Sequence, residues 1–102
     1  MTDDELDVLR RFVQALQRIG GLDFTVRGNQ TLAERRLQCL RATAANWLSN
    51  TVLHKPAICE LSHQAQAAAK EIVASFESFF AEEIDRAERN RRIVEAVNAE
   101  NN

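Results

Sequence analysis

Cys59 and His63 stand four residues apart, a spacing at which two side chains on one helical face can reach a single metal ion, and His54 and Glu60 lie close by in sequence. A structural zinc site draws four ligands from regular Cys and His spacings, and only a fragment of such a pattern is present. No metal site is expected. Cys39 and Cys59 are the only cysteines. If the flanking helices pair antiparallel, Cys59 falls opposite residue 52, about 20 Å along the helix from Cys39. A disulfide needs Cα atoms within about 7 Å, so two reduced thiols are expected.

Nucleophilic catalysis finds equally little. Ser49, His54 and Cys59 are near in sequence, but nothing orients them as nucleophile and base. The chain has no tyrosine, no glycine-rich phosphate loop, no nucleophile elbow and no HExxH motif. Glu82 and Glu83 point to different faces of a helix and read as solvated charge rather than a catalytic pair. No enzyme activity and no cofactor are expected.

Arginines offer a second chemistry. Arg35, Arg36 and Arg41 form one group and Arg86, Arg89, Arg91 and Arg92 another, and basic helices can track phosphates. However, Glu82, Glu83, Asp85, Glu88 and Glu95 interleave with the second group, and the net charge is −2. Salt-bridged, solvated faces are the expected state, with no basic field to draw in nucleic acid.

The third candidate is apolar. Phe76, Phe79 and Phe80 sit within five residues, with Trp47 upstream. The three phenylalanines spread over too wide an arc of a helix for one narrow seam. At least one should face a second surface, where aromatic side chains are favoured anchors.

The elements that carry these residues are helical. Thr2 with Glu5 makes a capping box, and Leu6, Leu9, Phe12, Val13, Leu16 and Ile19 follow at three- and four-residue steps. This predicts a helix over 3–19, closed at Gly20-Gly21, where a left-handed residue costs least. Leu22, Phe24 and Val26 then alternate with polar residues, the rhythm of an extended segment over 22–27. No second strand pattern is present, so the segment reads as a linker pegged by three apolar side chains. The alternative is a strand that pairs with its own copy or a partner's sheet edge.

Thr31 with Glu34 opens a second helix, predicted over 32–53, whose seam is Leu37, Leu40, Ala44, Trp47 with Leu48, and Thr51. Small Ala44 would let a neighbouring helix approach closely. Pro56 forces a corner. After it no glycine or proline occurs, which predicts one long helix over 57–97, about 60 Å from end to end. Its first seam is Ile58, Leu61, Ala65, Ala68, Ile72, Phe76 and Phe79. A second takes over through Val73, Phe76, Phe80, Ile84, Ala87 and Val94, as expected when a straight helix outruns a heptad. Outside lies a ladder of expected ion pairs: Glu82–Arg86, Asp85–Arg89, Glu88–Arg92 and Arg91–Glu95.

The expected architecture is therefore a single all-α domain over 1–102, three helices with an antiparallel hairpin and a long C-terminal helix. In that hairpin residue 39 lies opposite residue 72, and the second helix covers the third only to about residue 80. Phe80, Ile84, Ala87, Val94 and Val97 then need either helix 1, laid end to end with helix 2, or a second subunit. A homodimer along the long helix is the preferred expectation, two-fold dimers being the commonest such assembly. The candidate interface residues are Trp47, Phe76, Phe79, Phe80, Ile84, Ala87, Val94 and Val97, with Leu22, Phe24 and Val26 from the extended segment.

The N-terminal residues lack the basic flank and apolar core of a signal peptide, and no run nears the ~18 apolar residues of a membrane span. The chain reads as cytoplasmic. Eleven of its 13 basic residues are arginine, which fits a GC-rich bacterial or phage genome. With its capped helices over 32–53 and 57–97 and a length near one hundred, the overall plan resembles the small helical antiactivators of bacterial quorum-sensing regulators. That resemblance implies a regulatory protein that binds, and inhibits, a transcription factor through helical faces, without a cofactor. A nucleic-acid-associated accessory protein using the two arginine groups, or a structural subunit of a larger, phage-derived assembly, are the alternatives.

Overall fold

The computed structural model describes residues 1–26 and 28–100. The chain is all-α: α1 (Asp3–Ile19), α2 (Leu32–Ser49), a single 3-10 turn (Ile58–Glu60) and α3 (His63–Glu100). The two capping boxes act as expected at their first member. Thr2 and Thr31 each accept a hydrogen bond from the backbone N–H three residues on, and Glu5 reaches back to the Thr2 N–H.

Helix boundaries differ from the sequence expectation at three places. α2 ends at Ser49, not residue 53, because the Asn50 side chain accepts hydrogen bonds from the Val52 and Leu53 N–H groups. An Asx turn of this kind competes with the helix for the same donors. α3 begins at His63, not residue 57, and runs to Glu100, not 97. Leu61 is extended, and the Ser62 hydroxyl accepts from the Ala65 N–H as a new cap. Ile58 and Ala57 are nonetheless fully buried, so the first seam placed Ile58 in the core but in the wrong element, while Phe79 at its far end is exposed. Among the described residues of the 22–27 segment there is no strand; Arg27 lies outside them.

α1 also closes without a left-handed residue. Gly20 is in the right-handed region at φ −63°, and the Gly20, Gly21 and Leu22 N–H groups bond carbonyls three residues back, tightening the last turn. The positive φ belongs to Gly28, at +66°. Gly20→Ala should therefore be neutral or stabilising by about 0.4–1 kcal/mol, since an added Cβ meets only ordinary contacts. Gly28→Ala should destabilise by about 1–2 kcal/mol despite open space around it. Thermal melts of the two variants check the contrast.

Contacts at the helix ends set the topology. The Glu5 carboxylate meets the Ser62 N–H, and at the other end of α1 Gly20 approaches the Phe80 ring. α1 thus runs parallel to α3 beside its first half. α2 runs antiparallel to both, with Trp47 near Phe12, Arg36 on the Leu22 carbonyl and Arg41 facing Glu77. Phe12, Leu16, Leu40, Ile58, Ala65, Ala69 and Phe80 fill the core. Ala44, Ala65 and Ala69 are buried where the helices approach, which their small size permits.

Helices 1 and 2 therefore do not lie end to end along α3; both pack on the same half of it. Covering that half twice leaves the other half bare. From Arg89 to Glu100 every residue is exposed. The molecule measures 62 × 23 × 17 Å with a radius of gyration of 17.6 Å, against about 13 Å for a compact chain of this length.

Candidate interaction surface

The exposed apolar surface on α3 follows from helix geometry. Phe79, Ile93 and Val97 are 14 and 18 residues apart, about four and five turns, so they share one face. Phe79 is 56% exposed, Ile93 61% and Val97 50%. Val94 flanks them and is also exposed. Ser75, Phe76 and Phe79 line an open, almost wholly apolar hollow of about 270 Å³ at the bundle end of this face. Between the hollow and Ile93 the same face carries Glu83, Arg86 and Asn90.

The phenylalanine trio divides as a wide arc requires. Phe80 turns inward and is buried, edge-on to Phe76 with ring centroids 6.5 Å apart. Phe76 is half-buried, and Phe79 turns out. Of the residues expected to need cover, Phe80 receives it from the C-terminal end of α1. Ile84 is half-buried, while Ala87, Val94 and Val97 are exposed.

Trp47 stands elsewhere. It is half-buried against Phe12 and stacks on His54 at 4.1 Å between ring centroids, so it braces the corner after α2. Within the extended segment Leu22 is exposed, Phe24 is half-buried with the Arg35 guanidinium 5.2 Å from its ring, and Val26 is half-buried. Three exposed residues escaped the sequence reading. Ile93 lies on the Phe79 face but was outside both seams. Val52 and Leu53, 80% and 66% exposed, were placed at the end of a helix that stops before them. The signal available for these two was Asn50, a residue that favours such turns.

The arginines of α2 are engaged within the chain. Arg35 lies over Phe24, Arg36 donates to the Leu22 carbonyl, and Arg41 pairs loosely with Glu77 at 3.7 Å. The four expected ion pairs along the outer face of α3 do not close. Among the described residues the pairs within 4 Å are Asp7–Arg11 and Arg41–Glu77. Long exposed side chains gain little from pairing in water, and their rotamer entropy holds them apart. Cys39 and Cys59 are free thiols, and no cluster of three metal-ligating side chains occurs among the described residues. No helix among them is long and apolar enough to cross a membrane.

One carboxylate has a perturbed titration. The Ser62 backbone N–H donates to Glu5 at 2.8 Å, and with help from the Ser62 and Thr2 groups this lowers its pKa from the ordinary 4.5 to about 2. Ionised Glu5 thereby ties the start of α1 to the start of α3. A lowered folded-state pKa means that the stabilisation is present above about pH 4.5 and is lost as pH falls towards 2. Glu5→Gln should lower the melting temperature at pH 7 and flatten its fall between pH 4.5 and 2, bringing variant and wild type together at the acid end. Melting curves across that range check it.

No family model matches the chain, and neither curated proteins nor solved structures yield a match.

Proposed function

We propose that the chain is a small regulatory protein that binds another protein, such as a transcription regulator, through its helical surface and inhibits it. The observation that carries this reading is the adjoining pair of exposed apolar side chains Val52 and Leu53 in the corner after α2. Single exposed apolar residues are normal, but contiguous groups of them mark interaction surfaces. The resemblance of its sequence plan to the small helical antiactivators is what suggests the inhibitory sense. Engagement of Arg35, Arg36 and Arg41 within the chain weighs against a nucleic-acid reading.

The test is affinity capture from the native host with wild type and Leu53→Asp, followed by reconstitution with the purified captured protein. Leu53 is far enough into solvent for the change to leave the fold intact. The expected result is a regulator captured by wild type and lost with the variant, whose DNA binding in a gel shift falls on addition of the chain. Equal capture by both, or a captured protein whose activity the chain leaves unchanged, would overturn it.

A further inference from the structure

One face of α3, half-buried at Ile72, Phe76 and Glu83 and exposed at Phe79, Arg86, Asn90, Ile93 and Val97, is self-complementary in one register. Read as a heptad seam, Phe76, Glu83, Asn90 and Val97 occupy one repeating position, and Ile72, Phe79, Arg86 and Ile93 the other. The two ends of this seam are apolar, and its centre carries the charges Glu83 and Arg86 with the polar Asn90 beside them. We propose that a second copy of the chain lies antiparallel along this face, with Glu83 of each copy against Arg86 of the other.

That register places Phe76 opposite the partner's Ile93, Ile72 opposite the partner's Val97 and Phe79 opposite the partner's Asn90. The hollow lined by Ser75, Phe76 and Phe79 thus receives the apolar end that projects from the other copy. Each projecting half of α3, bare in the single chain, is then laid against the bundle of its partner. Flanking the seam, Glu82 faces the partner's Arg89. By the two-fold axis both acid–base contacts occur twice, as an isologous interface requires.

Charge excludes the neighbouring arrangements. Sliding one heptad in one direction sets Glu82 against the partner's Glu82 and Glu83 over the partner's Phe79. Sliding the other way sets Arg89 against the partner's Arg89 and Glu83 over the partner's Ile93. A parallel pair would align Glu83 with the partner's Glu83 and Arg86 with the partner's Arg86. Like charges facing one another at close range are destabilising, so only the first register pairs every central charge with its opposite. Among the described residues none of the four has an ion-pair partner within 4 Å.

The inference goes beyond the function proposed above. A second copy occupies the α3 seam whether or not another protein binds, and the Val52–Leu53 corner remains outside it. The Leu53→Asp experiment can therefore fail while this one succeeds, and the reverse.

The test is light scattering coupled to size exclusion, over concentrations from nanomolar to high micromolar. Wild type should show twice the chain mass of 11.5 kDa and dissociate on dilution. Glu83→Arg and Arg86→Glu should each weaken association about tenfold or more, since each sets like charges together at the dyad. An equimolar mixture of the two variants should restore it, because every central contact again joins opposite charges; this recovery also shows that both variants fold. Ser75→Cys mixed with Ala96→Cys should form a 75–96 disulfide between copies, identified by peptide mapping, in preference to 75–75. A monomeric wild type at every concentration, undiminished association of the single variants, failure of the mixture to recover, or a dominant 75–75 link would each overturn the proposal.

Discussion

Phe80→Ala should lower stability by about 3–5 kcal/mol, a large part of what a single domain has available, whereas Phe79→Ala should change it by about 0.5 kcal/mol. The two side chains are neighbours of identical chemistry. Phe80 is 2% exposed, wedged between Phe76 and the end of α1 at Gly20, and truncation there leaves a cavity that three converging helices cannot close. Phe79 already faces water and leaves no cavity. Urea denaturation at low protein concentration, where only the single chain contributes, separates them. Comparable losses for both would show that Phe79 belongs to the core.

Leu40→Ala should cost about 2–5 kcal/mol and Leu37→Ala distinctly less. Both leucines stand on the seam expected from spacing, one turn apart. Leu40 is fully buried in the middle of α2, where that helix meets the other two. Leu37 is only half-buried, near the end of the bundle. The cost of truncation depends on how completely a side chain is surrounded, and spacing alone assigns both the same role. Equal losses in a denaturant melt would place the end of α2 deeper in the core than its exposure indicates.

These pairs show how far residue patterns reach. Helix class, number and order were legible because each depends on neighbours in sequence. Thr2 and Thr31 cap, apolar steps of three and four define faces, and the chain after Pro56 has no glycine or proline. The boundaries around the α2–α3 corner were less legible. Asn50 and Ser62 compete locally with the helix for backbone donors, and Ser62 is further held by Glu5, 57 residues away in sequence. The candidate surface was half legible. Phe79, Val94 and Val97 were found by their type and spacing, but so was Phe80, which is core.

What the sequence determined by itself about the stretch after Pro56 is that it is helical, long, and carries more apolar surface than one seam can hold. Which side of it would be covered, and by what, was decided by tertiary structure alone. Helices 1 and 2 could have shared α3 end to end; instead α1 folds back in parallel beside the half that α2 already covers. Helix formation is a local matter of propensity and capping, while coverage depends on loop closure and on the fit of distant faces. Here that fit rests on Glu5 at Ser62, Gly20 at Phe80 and the small alanines between them. The same packing that completes the core at Phe80 leaves Phe79, Ile93 and Val97 in water.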